Sequence, residues 1–374
     1  MTGGAEAMLL KLISRGSLDF KHSVISLQTK GTIGPKLEAV GVEVFALNMA
    51  GGRIPGVSAL KLMDLLDSLR PDLIQAWMYH ANLGTTLARS FLRQPPPLYW
   101  SIRCSLSLGD REKWLTAAVV RGCAYISSSA QTIIYNSRRS MQEHSALGYK
   151  SKGARVIANG FDLKQFSRSA QFRSQLRETL HIPPNAFVVG MLARLHPMKD
   201  HRTFLATARN VVSQTSDTYF VAAGRGVPEL ASQFPDLVAE LGTRLVLLPE
   251  FDAVEKFMSA LDIFLLTSAW GEGFPNVLGE AMACELPCIT TDAGDSAHIV
   301  DKAGIIVAPA DVVALARETM ALYQSGPDRL RLLGEQARER VRAHFSIERA
   351  VSAYEACWRA GANAPRTPHH RETR

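Results

Sequence analysis

The sequence predicts an α/β protein of two doubly wound domains, each a mostly parallel sheet covered by helices on both faces. Three observations predict it. The chain has 374 residues, more than a single core usually holds and a comfortable length for two. Short β-rich runs alternate with helix-length amphipathic stretches along it. The runs are almost continuously apolar, as in strands buried on both faces of a parallel sheet.

In order, the N-terminal half opens at Gly3-Gly4-Ala5-Glu6 and passes directly into an amphipathic pattern, Met8, Leu9, Leu10, Leu12 and Ile13. No strand precedes that pattern, so a first strand of this domain is expected to be absent. His22–Leu27, Val42–Leu47, Asp72–Trp77, Leu98–Ile102, Thr132–Asn136 and 154–158 read as strands. A turn signal at Asn159-Gly160-Phe161-Asp162 marks the join and assigns 1–160 to the first domain. Pro183-Pro184 then introduces Phe187–Ala193, and Tyr219–Gly224, Arg244–Pro249, Ile263–Ser268, Pro287–Asp292 and Ile305–Pro309 complete a second set of strands in 161–345. Ser346-Ile347-Glu348-Arg349 reads as a helix start leading into Ala350–Trp358, a segment taken as 346–360. Residues 361–374, polar and Pro-containing, are expected to be a disordered tail.

Composition excludes several classes. The longest apolar runs, such as Ile263-Phe264-Leu265-Leu266, fall far short of the roughly 20 residues that span a bilayer. The start shows no charged leader with an apolar run and cleavage site, and the five cysteines include no C-x-x-C pair. A cytoplasmic location without disulfides or zinc is expected. The net charge of +7 is uneven: residues 1–160 hold 19 Lys+Arg against 10 Asp+Glu, and the remainder 23 against 25. A basic face suits an anionic membrane surface or an acidic acceptor. No zinc knuckle, RNP-like strand or helix-turn-helix accompanies it, so nucleic acid is not expected as a partner.

The segment richest in chemistry is Gly271-Glu272-Gly273-Phe274-Pro275-Asn276-Val277-Leu278-Gly279-Glu280. It follows a strand, turns through glycines and enters a helix near Pro275-Asn276. Glycines let backbone approach a ligand, and the first N–H groups of a helix form an anion site reinforced by the macrodipole, which suits a pyrophosphate. Glu280, one turn in, can accept from the two hydroxyls of a ribose, and Glu272 from those of a sugar. Read singly, both glutamates are equally consistent with solvated surface charges.

The stretch from Gly271 through Ala281-Met282-Ala283-Cys284-Glu285-Leu286-Pro287-Cys288-Ile289 resembles the E-x7-E region of the family 4 retaining glycosyltransferases. Upstream, Gly190-Met191-Leu192-Ala193-Arg194-Leu195-His196-Pro197-Met198-Lys199 is similar to the family's strand that ends in Arg, four residues and Lys. The resemblance implies a GT-B fold, in which two Rossmann-like domains face across a cleft. It makes Arg194, Lys199 and Glu272 the catalytic candidates, the two cations stabilising a departing diphosphate where charge develops. The sequence has no D-x-D motif, so no metal and no cofactor are expected. Gly224 and Gly226 match a Gly-x-Gly position after the family's second C-domain strand, and Gly3 and Gly4 its N-terminal glycine-rich loop. Together with Gly273, Phe274, Pro275, Asn276, Val277 and Glu280 they make up the donor-binding candidates. The base is expected beside the stretch from Leu248-Pro249-Glu250-Phe251 through Leu266-Thr267. Where relatives place a His after a later N-domain strand, this chain has Trp100-Ser101-Ile102-Arg103, so Arg103 and the nearby His80 are the acceptor-side candidates.

The resemblance implies a retaining transfer of a hexose-type sugar from a nucleotide-sugar to a lipid-linked or polysaccharide acceptor, in cell-surface exopolysaccharide or lipopolysaccharide synthesis. The enzyme is expected in the cytoplasm, peripheral on the inner membrane face. Two alternatives stand beside it: a nucleotide-sugar epimerase of the same architecture, and a noncatalytic nucleotide- or carbohydrate-binding protein.

Overall fold

Each run read as a strand forms one, and all strand pairing among the described residues is parallel. The computed structural model describes residues 4–49, 56–106 and 114–363. In chain order the strands are β1 Ser23–Ser26, β2 Glu43–Ala46, β3 Ile74–Trp77, β4 Leu98–Ile102, β5 Thr132–Tyr135, β6 Arg155–Val156, β7 Phe187–Leu192, β8 Thr218–Ala223, β9 Leu245–Leu248, β10 Ile263–Leu266, β11 Cys288–Thr291 and β12 Ile305–Val307. The chain divides into two compact units. Unit 1 comprises residues up to Gly160 together with those from Ile347 onward, and unit 2 comprises Phe161–Ser346.

Unit 2 is one six-stranded sheet in the order β12-β11-β10-β7-β8-β9. Its central strands are sealed on both faces: Val188, Val189, Phe220, Phe264, Leu265 and Ile289 are buried, as continuous apolar runs require. The helix His201–Val212 buries Phe204, Leu205, Ala208, Val211 and Val212, an i, i+4, i+7 stripe against that sheet. The strand order reverses between β7 and β10, whose neighbouring carboxyl ends lead into loops running to opposite sides of the sheet.

Unit 1 holds two sheets, β1-β2 and β3-β4-β5-β6, and β1 and β3 do not pair. The helix Gly4–Arg15 buries Met8 and Leu12 in a cluster with Tyr99, Ile134 and the helix Ile347–Ala362. Gly4, Ala5 and Glu6 form the first turn of that helix instead of a glycine-rich loop, because the amphipathic stripe already begins there; Gly3 lies outside the described residues. The C-terminal expectation also changes. The last helix continues through Gly361 to Ala362, and Gly361 is buried where a Cβ would stand 2.3 Å from Leu73 and 2.7 Å from the Tyr99 hydroxyl. Close packing against β4 thus explains this glycine, and of the expected tail 364–374 lies outside the described residues.

Candidate active site

The turn after β7 is built to present Lys199. His196 Nδ1 accepts from Met198 N at 3.2 Å and caps a 3-10 turn over Pro197–Lys199. Asp200 then adopts a left-handed conformation (φ 47°) and caps the next helix, accepting from Thr203 N at 3.1 Å and Thr203 Oγ1 at 2.6 Å. The turn is stapled to the end of β10: Thr267 Oγ1 donates to the carbonyls of Lys199 (3.1 Å) and Asp200 (3.0 Å), and Ala269 N donates to Met198 O at 2.8 Å. His201 ties the same turn to β7 through Nε2 and Ala193 O, 3.3 Å apart. Burial pushes the His201 imidazole down to about 4, so at neutral pH it is uncharged and Nε2 carries the proton that Ala193 O accepts.

The loop after β10 supplies the carboxylate that faces this turn. Glu272 is buried, and its Oε1 accepts from Lys199 Nζ and from Ser268 Oγ at 2.6 Å. Both partners of the ion pair are largely out of water, with side chains 14% and 7% exposed. The loop after β11 closes over the other side. Asp295 N donates to Gly273 O at 3.1 Å, and a Cβ on Gly294 (φ 62°) would lie 1.9 Å from Glu272 O. Only glycine permits that approach. Thr291 Oγ1 fixes the base of the loop by donating to Ser268 O at 2.5 Å. Lys199, Ser268, Glu272 and Gly294 therefore meet where the strand order reverses, outside the carboxyl ends of β7, β10 and β11.

From Glu272 the chain passes through Gly273, Phe274 and Pro275 into the helix Asn276–Ala283. Pro275 is its N-cap and no side chain caps it, so the positive end of the macrodipole, with Asn276 and Val277 in the first turn, is not neutralised by a capping side chain. Phe274 is buried, its ring 6.1 Å from that of Phe161 and 5.5 Å from that of Phe345, so its side chain belongs to the core beneath the loop and not to a ligand surface. Glu280 is half-buried one turn further along.

Arg194 stands exposed just past β7 and has no ion-pair partner among the described residues. Gly224 packs on the backbone beside it: a Cβ there (φ 149°) would be 2.1 Å from Ala193 O and 3.0 Å from Arg194 N. The Gly224 N–H is taken by Leu248 O and Pro249 O, and a Cβ on Gly226 (φ 80°) would lie 3.0 Å from Leu195 Cβ. In this structure the G-x-G segment joins the ends of β7, β8 and β9, and its first N–H is not directed at a ligand.

The remaining candidates are in unit 1. Met78 (φ 70°) turns β3 into the helix Met78–Arg89, which leaves His80 half-buried in its first turn. Arg103 donates from Nη1 to the Tyr354 hydroxyl at 2.6 Å and from Nη2 to Asn159 Oδ1, with its guanidinium 5.0 Å from the centre of the Trp77 ring. These bonds tie the end of β4 to the last helix, a structural engagement that sequence alone did not indicate.

Ser268, Gly294, Asp295 and His201 were not among the sequence candidates. A signal existed for Gly294, which sits between a strand and a helix in Asp292-Ala293-Gly294-Asp295. Ser268 and His201 carry no local signature, because their partners lie on other strands. Among the described residues no group of three or more His, Cys, Asp or Glu is arranged to hold a metal ion.

Residues 186–325 match the model of the glycosyl transferases group 1, and residues 2–165 match that of glycosyltransferase family 4. This chain is built of a glycosyltransferase family 4 domain followed by a glycosyl transferases group 1 domain. Over 212 residues it is 27% identical to the lipopolysaccharide core biosynthesis mannosyltransferase LpsB of Rhizobium meliloti, a match covering 54% of this chain and 60% of LpsB. Over 204 residues it is 28% identical to the UDP-Gal:alpha-D-GlcNAc-diphosphoundecaprenol alpha-1,3-galactosyltransferase of Escherichia coli, covering 52% of this chain and 51% of that one. The matches thus span a little over half the length of these relatives. Among solved structures, Anabaena Alr3699/HepE in complex with UDP superposes with a TM-score of 0.82 at 22% identity, over 96% of this chain and 97% of that one. A glycosyltransferase from Rickettsia africae gives 0.83 at 15% identity, over 97% and 96%. The fold is GT-B.

Proposed function

We propose that this chain is a retaining glycosyltransferase that moves a hexose-type sugar from a nucleotide-sugar to a lipid-linked or polysaccharide acceptor in bacterial cell-surface glycan synthesis. The observation that carries the reading is the buried Lys199–Glu272 pair beside the uncapped start of the helix Asn276–Ala283. A diphosphate bound at that helix start exchanges its negative charge for that of Glu272 as the partner of Lys199, and Arg194 adds a second cation from solvent. Glu272, released from Lys199, accepts from sugar hydroxyls, and Glu280 accepts from the ribose.

In the reaction the bond between the sugar C1 and the diphosphate oxygen breaks, and the nucleoside diphosphate leaves with both electrons. The acceptor oxygen bonds to C1 on the same face, and its proton passes to the leaving phosphate. Lys199, Arg194 and the helix N-terminus stabilise the charge as it develops, the work a divalent metal performs elsewhere, so the transfer needs no metal. Support for the donor comes from HepE, solved with UDP and with UDP-glucose. Support for the acceptor comes from relatives named for lipopolysaccharide core and diphosphoundecaprenol substrates.

The excess of nine positive charges in 1–160 favours work at an anionic membrane surface, and among the described residues no helix is long and apolar enough to cross a membrane. Binding to anionic vesicles at low salt that disappears at high salt is the expected result, and no binding at low salt removes this part of the reading.

A thermal-shift series with UDP, GDP, ADP and their common sugars tests the donor site. One nucleotide at about 100 times its Kd should stabilise the chain by roughly 2.7 kcal/mol, and Glu280→Ala should weaken that shift. No shift with any nucleotide rejects the reading.

A further inference from the structure

The chain enters unit 2 at Phe161 and leaves it at Ser346, and these two points are joined: Phe161 N donates to Phe345 O at 2.9 Å, and Phe161 bridges Ser346 in parallel. The Phe161 ring, 1% exposed, runs under the helix Asn276–Ala283. A Cβ added to Gly279 would lie 2.2 Å from both Cε2 and Cζ of that ring. Gly279 has an ordinary helical φ, so glycine is required there for closeness and not for conformation. The Phe161 ring is also stacked near Phe274 (6.1 Å, 22°), and Phe274 meets Phe345 edge-on (5.5 Å, 67°). One residue of this stack, Phe274, is two positions past Glu272, and the glycine above it is the residue before Glu280.

A second tie is independent of the rings. Arg338, on the helix Gly326–His344, donates from Nη2 to Leu163 O at 2.8 Å and from Nη1 to both Phe166 O (2.8 Å) and Ala283 O. The incoming segment 161–166 therefore meets the Asn276–Ala283 helix at its middle through the Phe161 ring, and Arg338 ties that segment to the last turn of the helix. That helix has eight residues and no side-chain cap. A helix so short has little stability of its own, and its position is set by what it packs on. In a close-packed interior a shift of the ring moves the helix with it.

We propose that Phe161 is a positioning residue for the donor side: its ring sets the height of the Asn276–Ala283 helix and of the Glu272–Phe274 loop, so that the paired incoming and outgoing segments at Phe161 and Ser346 are coupled to nucleotide binding. The ligand part of this proposal rests on the donor site described above. The coupling part rests on packing alone.

The test uses the full chain and three variants, Phe161→Leu, Gly279→Ala and the double variant. Two readouts are taken: the Kd of UDP and GDP by calorimetric titration, and amide hydrogen exchange in 272–283 compared with the helix His201–Val212 of the same unit. Each single variant is expected to weaken nucleotide binding about tenfold and to speed exchange in 272–283 while 201–212 keeps its protection. The double variant, in which the shorter leucine makes room for the new Cβ, should recover part of both losses. Unchanged exchange in 272–283, equal acceleration in both helices, or losses that simply multiply in the double variant each overturn the proposal. If Phe161→Leu does not fold, Gly279→Ala alone carries the comparison of the two helices. If the unaltered chain binds neither of these nucleotides nor ADP, the donor reading fails, and the exchange result still decides whether the ring positions the helix.

Discussion

Unit 2 carries its six strands in one parallel sheet, whereas the six strands of unit 1 fall into two sheets that do not pair between β1 and β3. A continuous sheet holds adjacent strand ends in fixed register, so loops after β7, β10 and β11 are delivered to one place, where Lys199, Ser268, Glu272 and Gly294 meet. A split sheet leaves alignment to the helices that cross it. In unit 1 that duty falls to the helix Ile347–Ala362, which buries Tyr354 and Trp358, accepts from Arg103 at the Tyr354 hydroxyl and donates from Trp358 Nε1 to Gln75 Oε1. Beside the unpaired edges, His22 Nε2 and Gln75 Nε2 are buried without a hydrogen-bond partner among the described residues. Around the split in unit 1, polar side chains thus serve assembly, tying the end of β4 and β3 to the last helix.

The most direct way to break this contrast is Lys199→Ala. It should cost on the order of 10²-fold or more in turnover by removing a charge-stabilising donor. It should also cost about 3 kcal/mol of stability, because Glu272 is left buried without its cation. Steady-state rates with a nucleotide-sugar and denaturant titration check the two halves, and a variant with ordinary turnover would remove Lys199 from the chemistry.

A second effect of similar size concerns His201 and belongs to unit 2 alone. Burial holds its imidazole at about 4 in the folded chain against an ordinary histidine value of about 6.5, with Lys199 nearby opposing the charge and Asp200 favouring it. The unfolded chain therefore binds the extra proton first as the pH falls. Stability is complete above about pH 6.5 and should drop by about 3 kcal/mol toward pH 4. Thermal melts across that range should show a slope that His201→Gln flattens.

Arg194→Ala sharpens the picture further. Turnover should fall about 10²-fold, while stability stays within about 0.5 kcal/mol, since the side chain is exposed and makes no ion pair among the described residues. The smallest expected effect lies in unit 1. Arg103→Met removes the bonds to Tyr354 and Asn159 and should lower stability by about 2 kcal/mol, with nucleotide affinity unchanged. A raised KM for acceptor at unchanged stability would instead return Arg103 to the acceptor side.

Much of the fold could be read locally. Each strand from β1 to β12 overlaps a run visible in the sequence with ends within two residues of it, β4 coinciding with its run and β8 beginning one residue earlier at Thr218, because period and turn residues act over a few positions. The Glu272–Glu280 segment was legible for the same reason: glycines, a proline and a helix start are contiguous there. Three features misled. Gly4 joined a helix because the amphipathic stripe reached back to it. Gly361 looked like the start of a tail, and is a packing glycine on Tyr99. Gly224 was placed on the donor side by resemblance to a family Gly-x-Gly, and its N–H is held by the carbonyls of Leu248 and Pro249 at the end of β9.

What the sequence by itself determined is the alternation of elements, the break near Gly160 and the chemical types at each strand end, since all of these follow from side-chain period and local turn chemistry. Only the tertiary structure decided that Lys199 pairs with Glu272 seventy-three positions away, that Gly294 must be glycine because Glu272 O lies against it, and that Phe161 sits under Gly279. Those contacts depend on strand order and on which backbones approach within a few ångströms, and no property of a short stretch of chain encodes either.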